Sequence, residues 1–179
     1  LVLSSSSVII VNFGIVYGIS AFGLAEQIGI GRKEAQQYID SYLEKYNGIK
    51  EYMNTTIDGA KKTGYVETLF WRRRYIQELK SSNYMVREFG KRAAMNTPIQ
   101  GTAADIIKIA MNTVYAKINE ANLDAKIILQ VHDELILEVK EEQKEEAKKI
   151  LKESMENATK LEVPLLVEIS EAKSWYDAK

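Results

Sequence analysis

The sequence predicts an α+β fold, on three observations. Amphipathic helical patterns fill most of the first 121 residues, with Ala35, Tyr38, Ile39, Tyr42 and Leu43 forming one apolar face. Two runs rich in β-forming residues, 125–131 and 135–139, then enclose a short polar turn, which is the pattern of a hairpin. A charged helical pattern and one more apolar run follow, so the order is mostly helices and then β-β-α-β.

The bulk composition is that of a globular protein. The 179 residues are 46% hydrophobic and 27% charged, and the absence of cysteine excludes disulfides and thiolate metal sites. No run reaches the roughly 20 apolar residues of a membrane span, and the first 15 residues lack the basic start of a signal peptide. The chain does not begin with Met, so we expect either a start inside a larger protein or an unusual translation start.

The charge is unevenly distributed, although the whole chain carries only −1. Between Lys61 and Lys108 there are ten Lys and Arg against four Asp and Glu, so this segment carries about +6 and the rest about −7. Such segregation indicates a surface that faces a polyanion, and a solvated basic face is the alternative.

The helices are predicted from apolar periodicity and end signals. Residues 1–16 are apolar and β-branched, which is compatible with a strand or a buried helix. Ser20 is expected to cap the next helix, and Gly29, Gly64 and the pair Asn47-Gly48 are expected to end helices. The predicted helices cover residues 21–28, 32–46, 49–62, 83–96, 100–121 and 140–160. Pro98 is expected to interrupt or kink the pattern between the fourth and the fifth.

Three β segments are predicted. Residues 64–78 form a ribbon or loop that carries Arg72, Arg73 and Arg74, and alternation would point Arg73 away from its two neighbours. The hairpin of residues 125–139 follows. Residues 163–169 are predicted as a last strand, because Pro164 near its start permits an edge position.

The hairpin turn carries His132, Asp133 and Glu134, and His132 is the only histidine in the chain. Such turns usually hold Asn-Gly or Asp-Gly because they need positive φ, so we expect side-chain chemistry to explain these residues. A carboxylate fixed at the end of a strand suits a divalent cation, since hard cations prefer oxygen ligands. A solvated polar turn is the alternative.

Two helical faces carry further candidates. Phe13 and Tyr17 lie four residues apart, so they share a face if this segment is helical. Arg92, Asn96 and Gln100 follow at four-residue steps and could donate to minor-groove acceptors, which every base pair presents similarly. The alternatives are two aromatic rings packed in a core and a polar face turned to solvent.

Four blocks of sequence, in order, resemble the family A DNA polymerases. They are residues 11–20 (VNFGIVYGIS), 64–75 (GYVETLFWRRRY), 92–105 (RAAMNTPIQGTAAD) and 130–134 (QVHDE). The resemblance extends from about Val11 to the C-terminus. It implies a partial fingers subdomain over residues 1–80, with an atypical start over 1–10. A partial palm with an antiparallel sheet and the His-Asp-Glu hairpin would follow over residues 81–179.

The resemblance implies a nucleotidyltransferase of DNA replication and repair that adds deoxynucleotides to a primer 3′ end with two Mg²⁺ ions. Asp133 would be a metal ligand and catalytic residue, and Glu134 a second, more peripheral catalytic carboxylate. Phe13 and Tyr17 would form the nucleotide pocket, and Phe13 would discriminate against nucleotides that lack the 3′-hydroxyl. The DNA-binding residues would be Ser20, Arg72, Arg73, Arg74, Arg92, Asn96, Gln100 and His132.

The implied partners are primer–template DNA, deoxynucleoside triphosphates and an upstream polymerase fragment, with no membrane. The implied location is the cytoplasm of a bacterial or phage-type system.

Three departures from the family pattern qualify these expectations. Ser5 and Ile9 stand where the family has an arginine and a lysine that grip the triphosphate. The block with the other metal aspartate is absent, so the two-metal site would be incomplete within this chain. Trp71 replaces a usual glycine, which predicts an altered turn. The alternative functions are a catalytically incomplete DNA-binding remnant and one half of a split polymerase.

Overall fold

The computed structural model describes the backbone of residues 5–178 and the side chains of residues 11–178. Within that part it contains α1 (Ser5–Val16), α2 (Ala21–Ile28), α3 (Arg32–Lys45), α4 (Asn47–Thr63), β1 (Tyr65–Glu67), β2 (Arg73–Tyr75), α5 (Tyr84–Glu120), β3 (Ala125–Val131), β4 (Glu134–Val139) and α6 (Lys144–Glu156). Short 3₁₀ turns cover Gln77–Lys80 and Glu141–Gln143. Helices with two small antiparallel sheets confirm the predicted α+β class. The chain divides into two compact units, Leu1–Gly101 and Thr102–Lys179.

The apolar segment at the start of the chain, for which the sequence left two possibilities, is the helix α1. It packs with α2 and α3 around a core of Val11, Ile15, Ala21, Leu24 and Ala35. The predicted start and end of α2 are confirmed. The Ser20 hydroxyl accepts from the Gly23 N–H at 3.1 Å, and Gly29 ends the helix at φ 68°.

The break between α3 and α4 lies one residue earlier than predicted. Tyr46 separates the helices with φ −108° and ψ 63°, and Asn47 and Gly48 belong to the first turn of α4. The Tyr46 carbonyl already accepts from the Ile49 and Lys50 N–H groups, so the new helix begins at once. The predicted stop at Gly64 is confirmed at φ 85°.

A second core joins α4, the ribbon and the first half of α5. Its buried residues are Ala60, Val66, Ile76, Leu79, Ala93 and Ala94. The prediction that Pro98 divides two helices is wrong, because α5 runs unbroken from Tyr84 to Glu120. Proline lacks one N–H and so removes one backbone hydrogen bond. We attribute the tolerance to the packing of Ala93, Ala94 and Met95, which are buried just before it.

The second unit packs the hairpin and α6 against the later part of α5. Val114, Ile118 and Leu135 are buried there, with Ile150, Leu151 and Met155 of α6 packed against them. The helix is shorter than the predicted 140–160 because Glu141–Gln143 form a 3₁₀ turn and Asn157 ends it. Strand β3 carries a bulge at Ile128, between the pairs Ile127–Leu137 and Leu129–Ile136.

The strand predicted over residues 163–169 is wrong. The segment is not paired with any strand among the described residues, and Val163 and Leu166 are 74% and 84% exposed. Its sequence favours an extended backbone, but a strand also needs a partner to accept and donate its ladder hydrogen bonds. Separately, no helix in the described part of the chain is long and apolar enough to cross a membrane.

Candidate nucleic-acid interface

Thr68 organises the turn that leads into the three consecutive arginines. Its side chain is buried, and its hydroxyl oxygen accepts from the backbone N–H groups of Phe70 at 3.3 Å and Arg72 at 3.2 Å. The Trp71 N–H donates to the Thr68 carbonyl at 3.0 Å, and the Thr68 N–H donates to the Arg72 carbonyl at 3.0 Å. This network fixes the backbone from which the arginines project.

The arginines alternate as the sequence predicted. Arg72 donates to the Gly101 carbonyl at 3.0 Å, and Arg74 donates to the Thr97 hydroxyl at 3.1 Å, so both contact α5. Arg73 instead donates to Glu67 on β1 at 2.8 Å.

Arg73 is further held on its own side of the ribbon. Its guanidinium carbon lies 4.5 Å from the centre of the Tyr65 ring. The hydrogen bond to Glu67 raises the pKa of Arg73, and the nearby Tyr65 adds to the effect. The three arginines therefore lie in different surroundings, with Arg72 and Arg74 against α5 and Arg73 against β1.

Gly101 allows the ribbon to approach α5 closely. A Cβ atom on Gly101 would lie 2.7 Å from the Thr68 methyl and 3.6 Å from a guanidinium nitrogen of Arg72. Only glycine leaves room for this contact without a shift of the ribbon. The sequence analysis did not identify Thr68, Thr97 or Gly101. The one feature of the sequence that could have indicated the close contact is the pair of small residues Thr97 and Gly101, which lie four residues apart on a helix.

The ribbon and α5 together enclose an open cavity of about 320 Å³. Its lining consists of Thr68, Arg72, Arg73, Arg74, Thr97, Gln100 and Gly101. Guanidinium groups beside hydroxyl and amide donors form a surface suited to phosphate oxygens. The structure thus brings Gln100 together with the three arginines that the sequence singled out.

The predicted polar face of α5 is present over Arg92, Asn96 and Gln100. Arg92 and Gln100 are exposed, and Asn96 is half-buried. The Asn96 Oδ1 is buried and has no hydrogen-bond partner among the described residues. Buried acceptors are usually satisfied, so the Asn96 Oδ1 is available to a donor that the described residues do not supply.

The loop after α1 packs against this face. Gly18 has φ +76°, and a Cβ there would lie 2.5 Å from the Met95 methyl and 3.3 Å from the Arg92 Cγ. Tyr17 precedes this contact directly, so the contact places the end of α1 beside Arg92.

Phe13 and Tyr17 share a face, as predicted. Their ring centres are 6.1 Å apart with an angle of 27° between the planes, and the Tyr17 N–H still bonds to the Phe13 carbonyl. Phe13 is 58% exposed, so this pair is not a core contact. The structure describes Ser20 as the cap of α2, while the side chains of Ser5 and Ile9 lie outside the described residues.

The hairpin tip belongs to the other unit. His132 adopts φ 51° and so supplies the positive φ for which glycine is usual, and the Gln130 side chain donates to its carbonyl at 2.8 Å. Turn chemistry therefore explains more of this position than the sequence suggested, because histidine enters the left-handed region more readily than most residues.

Asp133 and Glu134 are exposed, and no hydrogen bond or ion pair of Asp133 is found among the described residues. Its carboxylate can therefore accept a cation. The described residues contain no group of three or more His, Cys, Asp or Glu side chains that could hold a metal ion. The hairpin tip can therefore contribute one carboxylate to a metal site, but the described residues do not form a complete site.

Comparisons with known proteins agree over almost the entire chain. The model of the family described as DNA polymerase family A matches residues 7–177. DNA polymerase I of Caldicellulosiruptor bescii is 54% identical over 169 residues, which are 94% of this chain and 20% of that protein. DNA polymerase I of Bacillus subtilis is 56% identical over the same share of this chain and 19% of its own length.

A solved structure is also similar. It is described as the POL domain of Pol1 from M. smegmatis in complex with DNA primer-template and dNTP. The TM-score is 0.92 at 45% identity, and the match covers 97% of this chain and 30% of that one. The present chain spans about a fifth of the length of the curated relatives.

Proposed function

Because the chain belongs to DNA polymerase family A, we propose that it forms part of a template-directed DNA polymerase. In this proposal residues 1–80 are a partial fingers subdomain and residues 81–179 a partial palm. The complete enzyme adds deoxynucleotides to a primer 3′ end, and this chain holds the primer–template and the incoming nucleotide.

The observation that carries the proposal is the ribbon–helix cavity. Arg72 and Arg74 are fixed against α5, so their charges are positioned beside the polar face of that helix. Backbone phosphates would bind the arginines, while the amide of Gln100 reaches a minor-groove acceptor. Such contacts hold any base pair of normal geometry, which is what a polymerase requires.

The other residues of this face extend the same interface. Asn96 lies one helical turn before Gln100 and Arg92 two turns before it, and the unsatisfied Asn96 Oδ1 is compatible with a donor from DNA or bound water. Arg73 is the arginine engaged with Glu67, so its charge contributes mainly through the surface potential. Ser20 lies at the start of α2, where its hydroxyl hydrogen can still donate.

The exposed pair Phe13 and Tyr17 would receive the nucleotide. Two nearly parallel rings on the surface offer a face for the base and an edge for the sugar. Discrimination against sugars without a 3′-hydroxyl is proposed for Phe13 from the family resemblance.

Asp133 would supply one carboxylate to a Mg²⁺ site, with Glu134 as a peripheral carboxylate and His132 near the primer end. Bound Mg²⁺ would neutralise charge on the attacking and leaving oxygens. The remaining ligands would come from another part of a longer protein or from an upstream polymerase fragment as partner. The hairpin holds Asp133 by β3–β4 pairing up to Val131 and Glu134.

Salt-dependent binding tests the DNA interface. We expect fluorescence anisotropy to show that the affinity for a labelled primer–template falls steeply between about 50 and 200 mM salt. The double change Arg72→Ala and Arg74→Ala should reduce the slope of log affinity against log salt by about 2, since each phosphate contact contributes about 0.9. Lys149→Ala, which removes an exposed charge on α6, is the matched control. Affinity that does not respond to salt would contradict the proposal.

Primer extension tests the role of Asp133. In a chimera that joins the preceding part of Bacillus subtilis DNA polymerase I to this chain at Val11, extension with Mg²⁺ is expected. Asp133→Asn should reduce the rate by about three orders of magnitude, because a metal ligand supplies several kcal/mol of charge stabilisation. Glu138→Gln, on the same hairpin, should leave the rate unchanged. An Asp133→Asn chimera of undiminished rate would rule out the role.

The second candidate function is DNA binding without catalysis by the chain alone. It is favoured by the absence of a cluster of metal-ligating residues in the described part of the chain. Extension by the 179-residue chain itself, lost in Asp133→Asn, would exclude this alternative. DNA binding without extension would support binding without catalysis. If an added upstream fragment then restored extension, the split enzyme would be supported instead.

A further inference from the structure

Trp71 is an exposed aromatic side chain at the tip of the β1–β2 ribbon. It is 78% exposed, and in the part of the chain that the structure describes no ring pair or cation–π contact includes it. Large aromatic rings gain much from burial, so few tryptophans are this exposed. Packing within the described residues therefore does not account for a tryptophan at this position.

The backbone makes the choice of tryptophan more unusual. Trp71 has φ +64°, in the left-handed region that bulky side chains rarely adopt and that glycine adopts at no cost. The hydrogen bonds around Thr68 hold this conformation on both sides. The ring is thus presented to solvent from an ordered backbone, which lowers the entropy lost when a ligand stacks on it.

The surroundings of Trp71 are cationic. Arg72, Arg73 and Arg74 follow it directly and line the ribbon–helix cavity together with Gln100. A surface that binds single-stranded nucleic acid combines such charges with an aromatic ring on which a base can stack. Protein interfaces are also enriched in tryptophan and arginine, but their centres are depleted of charge overall, whereas this tip carries three consecutive cations. The composition of this tip therefore favours nucleic acid.

We propose that Trp71 is an additional DNA contact, which stacks on an unpaired base of single-stranded template while the phosphates of that strand lie beside Arg72 and Arg74. The inference rests on the proposed function and deepens it, because it assigns the ribbon tip to the unpaired part of the substrate. The polar face of α5 then serves the paired part.

Tryptophan fluorescence tests the proposal directly. The chain has two tryptophans, so Trp175→Phe leaves Trp71 as the single reporter. We expect a duplex with a single-stranded template overhang to quench this fluorescence, and a blunt duplex of the same length to leave it nearly unchanged. Trp71→Gly should weaken binding of the overhang substrate about tenfold and leave the blunt duplex unaffected. Trp71→Phe should retain part of the affinity.

The variants also separate the possible outcomes. Glycine suits the left-handed turn, so Trp71→Gly is expected to remain folded. Equal overhang affinity for Trp71→Gly and the unchanged chain would overturn the stacking, and salt-sensitive duplex binding would still support the proposed function. An unchanged chain that binds neither substrate would overturn both. Tyr176→Ala, at another exposed aromatic residue (89% exposed), should not alter either affinity. A loss of self-association in Trp71→Gly without a change in DNA affinity would overturn the proposal in favour of a contact between copies.

Discussion

At the scale of single residues, the contact between the ribbon and α5 depends on one missing side chain. Gly101 lies so close to Thr68 that a Cβ would approach the Thr68 methyl to 2.7 Å. We expect Gly101→Ala to cost about 1–3 kcal/mol in the free energy of unfolding, because the ribbon must shift. Urea unfolding measures this change.

Gly59 provides the control for that prediction. It lies inside α4, and a Cβ there would meet nothing within 4 Å. Gly59→Ala should therefore stabilise the protein by about 0.5–1 kcal/mol through helix propensity alone. If both alanine variants were stabilising, the proposed steric role of Gly101 would be wrong.

Thr68 acts through its hydroxyl rather than its methyl. The oxygen accepts two backbone N–H groups in a buried place, so Thr68→Val should leave both without an acceptor and cost about 1–3 kcal/mol. Thr68→Ser keeps the oxygen and should cost less. Chemical denaturation of both variants checks this order. A serine variant less stable than the valine variant would show that packing, and not hydrogen bonding, holds the turn.

At the scale of elements, end signals in the sequence were more informative than apolar runs. Ser20, Gly29 and Gly64 set helix ends correctly because their effect is local, through a hydroxyl acceptor or a left-handed φ. The prediction of a strand over residues 163–169 was wrong because a strand depends on a partner elsewhere in the chain. Pro98 does not end the helix as predicted, because the packing of buried neighbours along α5 outweighs the cost of the backbone hydrogen bond that proline removes.

The segment after α6 is held to that helix by two carboxylates. Glu171 pairs with Lys144 and Lys148, and the Val167 N–H donates to Glu156 at 3.2 Å. The hydrogen bond from Lys148, supported by Lys144, lowers the pKa of Glu171. A carboxyl whose folded pKa is lowered stabilises the folded form above its ordinary pKa, and this contribution is lost as the pH falls through the lowered value.

Acidification should therefore release this segment. We expect hydrogen exchange of residues 158–178 to quicken below about pH 4, after correction for the intrinsic rate, while α6 stays protected. Glu171→Gln should show the faster exchange already at pH 7, and Glu162→Gln in the same segment should not. Exchange in Glu171→Gln equal to that of the unchanged chain at pH 7 would argue against the tether.

At the scale of the whole molecule, the candidate residues fall into two groups, one in each compact unit. The cavity arginines, the α5 face up to Gln100 and the pair Phe13–Tyr17 belong to the first, and the hairpin tip with Asp133 belongs to the second. The sequence singled out these residues through motif order and helical spacing, which can be seen in the chain itself. It did not reveal the Thr68 network or the close approach at Gly101, since these arise only when the ribbon packs on the helix.

The segregation of charge along the chain predicts that the ribbon and the first half of α5 bind a polyanion. Two kinds of contact, to charge and to bases, can be separated there. Primer–template DNA should slow hydrogen exchange in residues 64–76 and 92–101 and leave α6, which is rich in glutamate, unchanged. Heparin, a polyanion without bases, should slow hydrogen exchange in the ribbon but not in residues 92–101. The reason is that Asn96 and Gln100 would form hydrogen bonds to base edges and would not neutralise phosphates. Equal protection of both segments by heparin would mean that the α5 face binds by charge alone. In that case Gln100→Ala would leave the affinity for DNA unchanged. If Gln100 instead contacts the minor groove, Gln100→Ala should weaken binding at every salt concentration. The slope of log affinity against log salt should then stay the same.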